Sequence, residues 1–202
     1  AMLEEMGLPT VLAGRRDADE RLSYVHADNA GGATEAVRHL LGSGRKKVAT
    51  IAGPLDMDVG RSRLEGWRTA HEEAGLPAPE TLVEVGDFSW ESGSQAMRSL
   101  LERAPDLDAV FAASDLMAIG ALEELRRQKR QVPGDVAVVG FEDSPHARWT
   151  NPPLTTVRQP VEELGSTMVR ILADITEPDA ERQQLMLPTE LVVRESSGGP
   201  GI

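Results

Sequence analysis

Short, largely apolar runs alternate with stretches of helical periodicity along almost the entire chain. A strand apolar at every position must be covered on both faces, and a helix that buries one stripe is the element that covers it. Such alternation therefore reads as βαβ units around a parallel sheet. The runs at 10–13, 24–27, 48–52, 82–85, 109–113 and 136–141 are read as strands. A helix opening at Asp28 or Asn29 presents Ala33, Ala36, Val37, Leu40 and Leu41 on one face and stops at Gly42 to Gly44. Further helices carry Leu64, Trp67, His71 and Ala74, ending at Gly75, then Ala96, Met97, Leu100 and Leu101, then Ile119, Leu122 and Leu125. This is a doubly wound α/β lobe. Beyond Asn151-Pro152-Pro153 the order changes: an extended segment 154–159, a helix with Val161, Leu164, Met168, Ile171, Leu172 and Ile175, and an extended segment 185–194 before a Gly/Ser/Pro-rich tail expected to fray.

Composition limits the chemistry. The absence of cysteine excludes disulfides and zinc sites built on Cys pairs. A net charge of −12 argues against nucleic-acid binding by these residues, because phosphate contacts need a basic surface. The basic clusters 45–47 and 126–130 fall at helix ends, where cations complement the helix dipole. Apolar stretches such as 136–141 are too short to cross a bilayer, and Glu4 and Glu5 stand where a signal peptide carries Lys or Arg, so a cytoplasmic protein is expected. The sequence opens on residues 3–8, which read as the last turns of a helix ending at Gly7.

Ligands of open α/β sheets bind beyond the carboxyl ends of the strands. The loops there are 53–63, 86–90, Ser114-Asp115 and Glu142-Asp143, which supply a guanidinium, carboxylates, a hydroxyl and the rings of Phe88 and Trp90. That set suits a small polar molecule such as a sugar or nucleobase. Each member also has a plainer reading: Asp115 as a helix cap, Arg63 paired with Glu65 or Asp58, and both rings as core. Enzymatic readings find little support. The spacing from Gly53 to Gly60 is too long for a phosphate loop and Arg61 stands where its Lys belongs. Nucleophile-elbow, zincin and dinucleotide motifs are absent. His26, His39, His71 and His146 are scattered, with His39 and His71 read as packing or surface residues. No metal, cofactor or catalytic residue is expected.

Six motifs in order resemble the LacI family of bacterial transcription regulators. They are Asp28-Asn29-Ala30-Gly31-Gly32 with His39-Leu40-Leu41-Gly42; Ile51-Ala52-Gly53-Pro54 with Arg61, Arg63, Gly66 and Trp67; Ala113-Ser114-Asp115 running to Gly120; Val132-Pro133-Gly134-Asp135 running to Phe141; Pro152-Pro153-Leu154-Thr155-Thr156-Val157; and Leu187-Pro188-Thr189-Glu190 running to Ser196. The resemblance implies a periplasmic-binding-protein-like α/β fold of two doubly wound lobes, the C-terminal lobe nearly complete and the N-terminal lobe partial. Residues 1–27 would be a remnant of the N-terminal lobe, 28–158 the C-terminal lobe, 159–184 the return, and 185–202 the crossing back. A helix-turn-helix head would lie outside this chain.

The resemblance also assigns an effector site: Arg63 as the arginine that grips the ligand, Phe88 as a stacking ring, Ser114 as a polar contact with Asp115 beside it, and Glu142 where an Asp is usual. Gln159 falls at a further pocket position and Gly14 where some members place a polar residue. It implies a sugar-type effector, operator DNA bound through the head, and a homodimer using residues 116–126 and 144–149, with no membrane partner. The effector would act by shifting populations of lobe arrangements. The alternative is a periplasmic solute-binding protein of a transporter. With half a lobe missing, apolar surface on the 161–176 helix and the 10–13 strand should lie uncovered and favour self-association.

Overall fold

The computed structural model describes residues 8–14, 22–176 and 181–199. The helical turns read over residues 3–7 lie outside them, as do residues 200 and 201 of the tail; the part of the tail within them does not fray, since Ser196 and Ser197 are buried in the short helix Glu195–Ser197. The chain divides into two compact units, one of residues 1–28 with 160–189 and the other of 29–159 with 190–202.

The larger unit is built on strands β3 (Val48–Ala52), β4 (Val83–Val85), β5 (Ala109–Ala112), β6 (Ala137–Glu142), β7 (Thr155–Arg158) and β9 (Glu190–Val192). They lie in the order β4-β3-β5-β6-β7-β9, all parallel except β9, which runs antiparallel to β7. Every residue of β3 and β5 is buried, as a sheet covered on both faces requires. The covering helices are α1 (Asn29–Gly42), α2 (Asp58–Glu73), α3 (Trp90–Arg103) and α4 (Asp115–Arg127), with α1 packed on α2 and α3 on α4. Two glycines set the α3–α4 crossing. A Cβ on Gly93 would lie 2.2 Å from the Met117 carbonyl oxygen, and one on Gly120 2.1 Å from that of Trp90.

The core runs through Trp67, Phe111 and Phe141, all fully buried. Trp67 Nε1–H donates to the Val48 carbonyl at 3.0 Å, and the buried His71 donates from Nδ1 to the Trp67 carbonyl at 2.9 Å. Phe111 and Phe141 meet edge to face at 6.4 Å. His39 is half-buried and shares a 2.8 Å hydrogen bond with the Ser197 hydroxyl, which tethers the short helix Glu195–Ser197 to α1.

The smaller unit is a parallel sheet in the order β1-β2-β8, formed by β1 (Val11–Ala13), β2 (Ser23–Ala27) and β8 (Gln184–Leu187), with α5 (Val161–Asp174) against β1 and β2. The segment read as one extended run over 185–194 is thus two strands in different sheets, broken at Pro188. On α5 Thr167 and Ile171 are buried and Leu164, Met168 and the cap residue Ile175 half-buried, whereas Val161 (65%), Val169 (69%) and Leu172 (41%) are exposed, so the apolar stripe expected to lie open does so only in part. In β1, Val11 and Leu12 are half-buried and Ala13 is exposed.

Candidate functional site

Strand order reverses between β3 and β5, and beyond the carboxyl ends of that pair a doubly wound sheet leaves a crevice. The chain rising from β3 turns at Gly53 into α2, and the one rising from β5 turns at Ser114 into α4.

Arg63, on the second turn of α2, points into the protein and is only 3% exposed. Its Nε–H donates to Asn29 Oδ1 at 3.0 Å, and Nη1–H donates to the Ala113 carbonyl at 2.5 Å. The guanidinium carbon lies 3.8 Å from the centre of the Phe141 ring. The group is therefore fixed from three sides with part of its five-donor fork still uncommitted to these partners. Burial pushes its pKa down to about 10, against the opposing pull of Glu142 and Asp115, so it stays cationic at neutral pH. The pairing with Glu65 or Asp58 considered from spacing does not form; Asp58 faces Arg61 at 3.6 Å.

Glu142 ends β6 in a half-buried position. Burial raises its carboxyl above the ordinary carboxylate range, while Arg63 and the Asp115 backbone favour the charged form. Both Glu142, at φ 123°, and Asp143, at φ 53°, adopt backbone conformations that L residues avoid. Such strain costs on the order of 1–3 kcal/mol per residue and persists only where the surroundings enforce it.

The enforcing contacts are specific. The helix cap is Ser114, whose hydroxyl accepts from Met117 N–H at 3.2 Å, and not Asp115. The Asp115 carboxylate, fully buried, instead accepts from the Thr156 hydroxyl at 2.5 Å and from Ser144 N–H at 2.7 Å. It fits because residue 140 is glycine; a Cβ there would sit 2.5 Å from Asp115 Oδ1. Burial raises the Asp115 carboxyl, and these hydrogen bonds draw it back. Asp143 accepts from Arg158 Nε at 2.8 Å and from Arg194 Nη2 at 2.5 Å. Burial alone would raise its carboxyl, but the two arginines together hold it below the usual range.

Phe88, left-handed at φ 69°, lays its ring on Gly53, where a Cβ would meet Cζ at 2.3 Å. Its neighbour Asp87 is held at about 2 by the Ser89 hydroxyl and backbone N–H. Trp90 opens α3 and is half-buried. Gln159 follows β7 at the same carboxyl edge, next to Arg158, which is paired in register with Glu142. Arg63, Ser114, Asp115 and Glu142 thus converge at the central strand ends, with Phe88 and Gln159 in the segments that follow the flanking strands β4 and β7. Asn29, Phe141, Asp143, Thr156 and Arg194 complete the arrangement; Asn29 was legible as a helix cap and Asp143 as part of a strand-end loop, whereas Phe141, Thr156 and Arg194 stood only inside the family motifs, with no role assigned.

Among the described residues no group of His, Asp or Glu is placed to hold a metal ion, and no helix is long and apolar enough to cross a membrane. A separate groove of about 510 Å³, lined by Ala30, Leu55, Asp58, Arg61, Ser62, Leu64, Glu65 and Arg68, shares none of the six candidate residues. Its charged lining is exposed or half-buried and lacks a fixed buried cation.

The chain matches the periplasmic-binding-protein-like domain family over residues 37–197. It is 52% identical to the HTH-type transcriptional regulator CelR of Thermobifida fusca over 198 residues, which span 96% of this chain and 58% of that protein. It is 37% identical to the ribose operon repressor of Escherichia coli K12, over 94% of this chain and 58% of the repressor. Among solved structures, a transcriptional regulator CelR–cellobiose complex superposes with a TM-score of 0.94 at 52% identity, covering 96% of this chain and 61% of that one. The chain therefore spans somewhat over half the length of the curated relatives it matches, and those relatives are transcriptional regulators.

Proposed function

This chain belongs to the LacI family of transcriptional regulators and spans their periplasmic-binding-protein-like domain, and on that premise we propose that it is the sugar-binding core of a cytoplasmic repressor. The observation that carries the reading is the buried, thrice-anchored guanidinium of Arg63 beside the Glu142 carboxylate. A rigid cation with free N–H donors next to an acceptor suits adjacent hydroxyls, to which a fork donates and from which a carboxylate accepts. Phe88 offers an apolar face for a pyranose ring, and Gln159 a further amide. Asp115 and Ser114 act on the site from beneath, one under the loop and one at the helix cap. Cellobiose, the sugar in the CelR complex, is the first candidate effector.

In this reading the chain performs no catalysis. Effector binding shifts the balance between arrangements of a homodimer whose heads, outside this chain, engage operator DNA. Exposed Leu116 (47%) and Trp149 (86%) support residues 116–126 and 144–149 as the dimer face. Residues 1–28 with 160–189 supply part of the N-terminal lobe. The regulators among its relatives favour this reading over a transporter's solute-binding protein.

The test is a thermal-shift screen against cellobiose, ribose, sugar phosphates and nucleobases, repeated on Arg63→Ala. A stabilising sugar whose effect vanishes in the variant upholds the proposal. Sugar hits indifferent to Arg63→Ala refute the site, and stabilisation only by nucleobases refutes the effector class.

A further inference from the structure

We propose that Asp143, whose carboxylate oxygens are both engaged by arginines, is the positioning residue of the Glu142 acceptor. Glu142 and Asp143 are consecutive non-glycine residues at positive φ, and β6 ends on the first of them. The chain after Glu142 is pinned at successive points: Asp143 N–H to the Thr156 hydroxyl at 3.3 Å, the Asp143 carboxylate to Arg158 and Arg194, and Ser144 N–H to Asp115. Within the strained pair Asp143 is anchored by two ion pairs, and both of its oxygens are taken by guanidinium groups. Those partners are themselves fixed. Arg194 donates to the Leu154 carbonyl at 2.7 Å, and Arg158 donates to Glu190 at 3.0 Å.

The arrangement has more than a local reach. Arg158 ends β7 just before the chain leaves the larger unit, and Glu190 is the first residue after it returns. The cluster therefore ties the acceptor loop to both strands that lead into and out of the unit. A shift of Glu142 on binding is resisted, or passed on, through two ion pairs rather than through loose loop backbone.

This inference rests on Glu142 as a contact for the effector, and the experiment separates the two. Amide exchange over residues 140–146 is followed in the sugar-free chain, and cellobiose affinity is measured by calorimetry. The variants are Asp143→Asn, which keeps the shape without the charge, and Asp143→Gly, which also accepts positive φ without strain. Both are expected to speed exchange at Ser144 and to weaken cellobiose binding roughly tenfold, the factor expected when an enforced conformation relaxes. Arg158→Lys should retain most of the affinity that Arg158→Met loses. A melting temperature that falls while affinity and exchange hold would overturn the proposal, since a purely structural residue behaves that way. If the wild-type chain binds no cellobiose, the assignment of cellobiose as effector fails instead. Exchange then decides alone: acceleration upholds the positioning of the loop and an unchanged Ser144 amide overturns it.

Discussion

Replacing Arg63 by Met separates binding from folding in a way the geometry allows to be estimated. The change deletes two hydrogen bonds from a charged donor, each of about 2 kcal/mol, and a cation–π contact of about 1 kcal/mol. Against this, the burial that lowers the guanidinium pKa to about 10 reflects a desolvation cost on the order of 3 kcal/mol, which an apolar side chain of similar length does not bear. The net loss is about 2 kcal/mol, a fall in melting temperature of roughly 4 to 8 °C for a domain of this size. Sugar affinity should fall far more, by at least about 100-fold, because the fork contributes more than one directional hydrogen bond. Differential scanning fluorimetry and calorimetric titration of the same preparations measure both. A well-folded Arg63→Met chain that binds sugar as wild type does would refute the site. A melting temperature lowered by more than about 15 °C would mean that the cation is a structural keystone and that the cost assigned to its burial is wrong.

Three further outcomes are expected. Gly53→Ala drives a methyl group into the Phe88 ring and should weaken sugar binding while costing the fold about 1 kcal/mol, read by titration and urea denaturation. Gly93→Ala forces α3 from the Met117 backbone and should destabilise by about 2 kcal/mol or more, whereas Gly165→Ala in α5, with open space at its Cβ, should stabilise by roughly 0.5 to 1 kcal/mol; equal urea midpoints for the two would contradict the packing described. Burial lowers the pKa of both His39 and His71 below the ordinary 6.5. The unfolded chain then takes up protons before the folded one, so stability is full above pH 6.5 and is lost as pH falls through the folded values. A double His39→Gln and His71→Gln variant should lose less stability over that interval, and an unaltered pH profile would exclude these two residues as its source.

The strand and helix pattern was largely legible because it rests on burial period, which sequence reports directly: β3 and the residues facing inward from α1 and α2 follow from it. What sequence could not supply were choices made by three-dimensional neighbours. The Ser114-Asp115 pair offers two equally good caps, and which one serves is decided by Thr156 and the Ser144 amide, which claim Asp115 from another strand and a distant loop. Arg63 had two carboxylates near it in sequence, yet its inward direction on α2 gives it to Asn29 and a strand-end carbonyl instead. The positive φ values at Phe88, Glu142 and Asp143 left no trace, since the residues there are not the glycines that normally announce such backbone. Of the site, the members carried by family resemblance were visible in advance; Asp143 was visible as part of a strand-end loop, but its pairing with Arg158 and Arg194 was not.

The pairing of β2 with β8 also governs when the smaller unit can finish folding. Tyr24 and Gln184 lie side by side in the sheet but 160 residues apart in the chain. At a synthesis rate of about 5 to 20 residues per second, the free edge of β2 waits on the order of 10 to 30 seconds for its neighbour. The five parallel strands of the larger unit are complete by Arg158 and can assemble in that interval. An early, stable larger unit shortens the effective loop that β8 must close, and slowing its assembly would leave an unpaired strand edge open to association with other nascent chains.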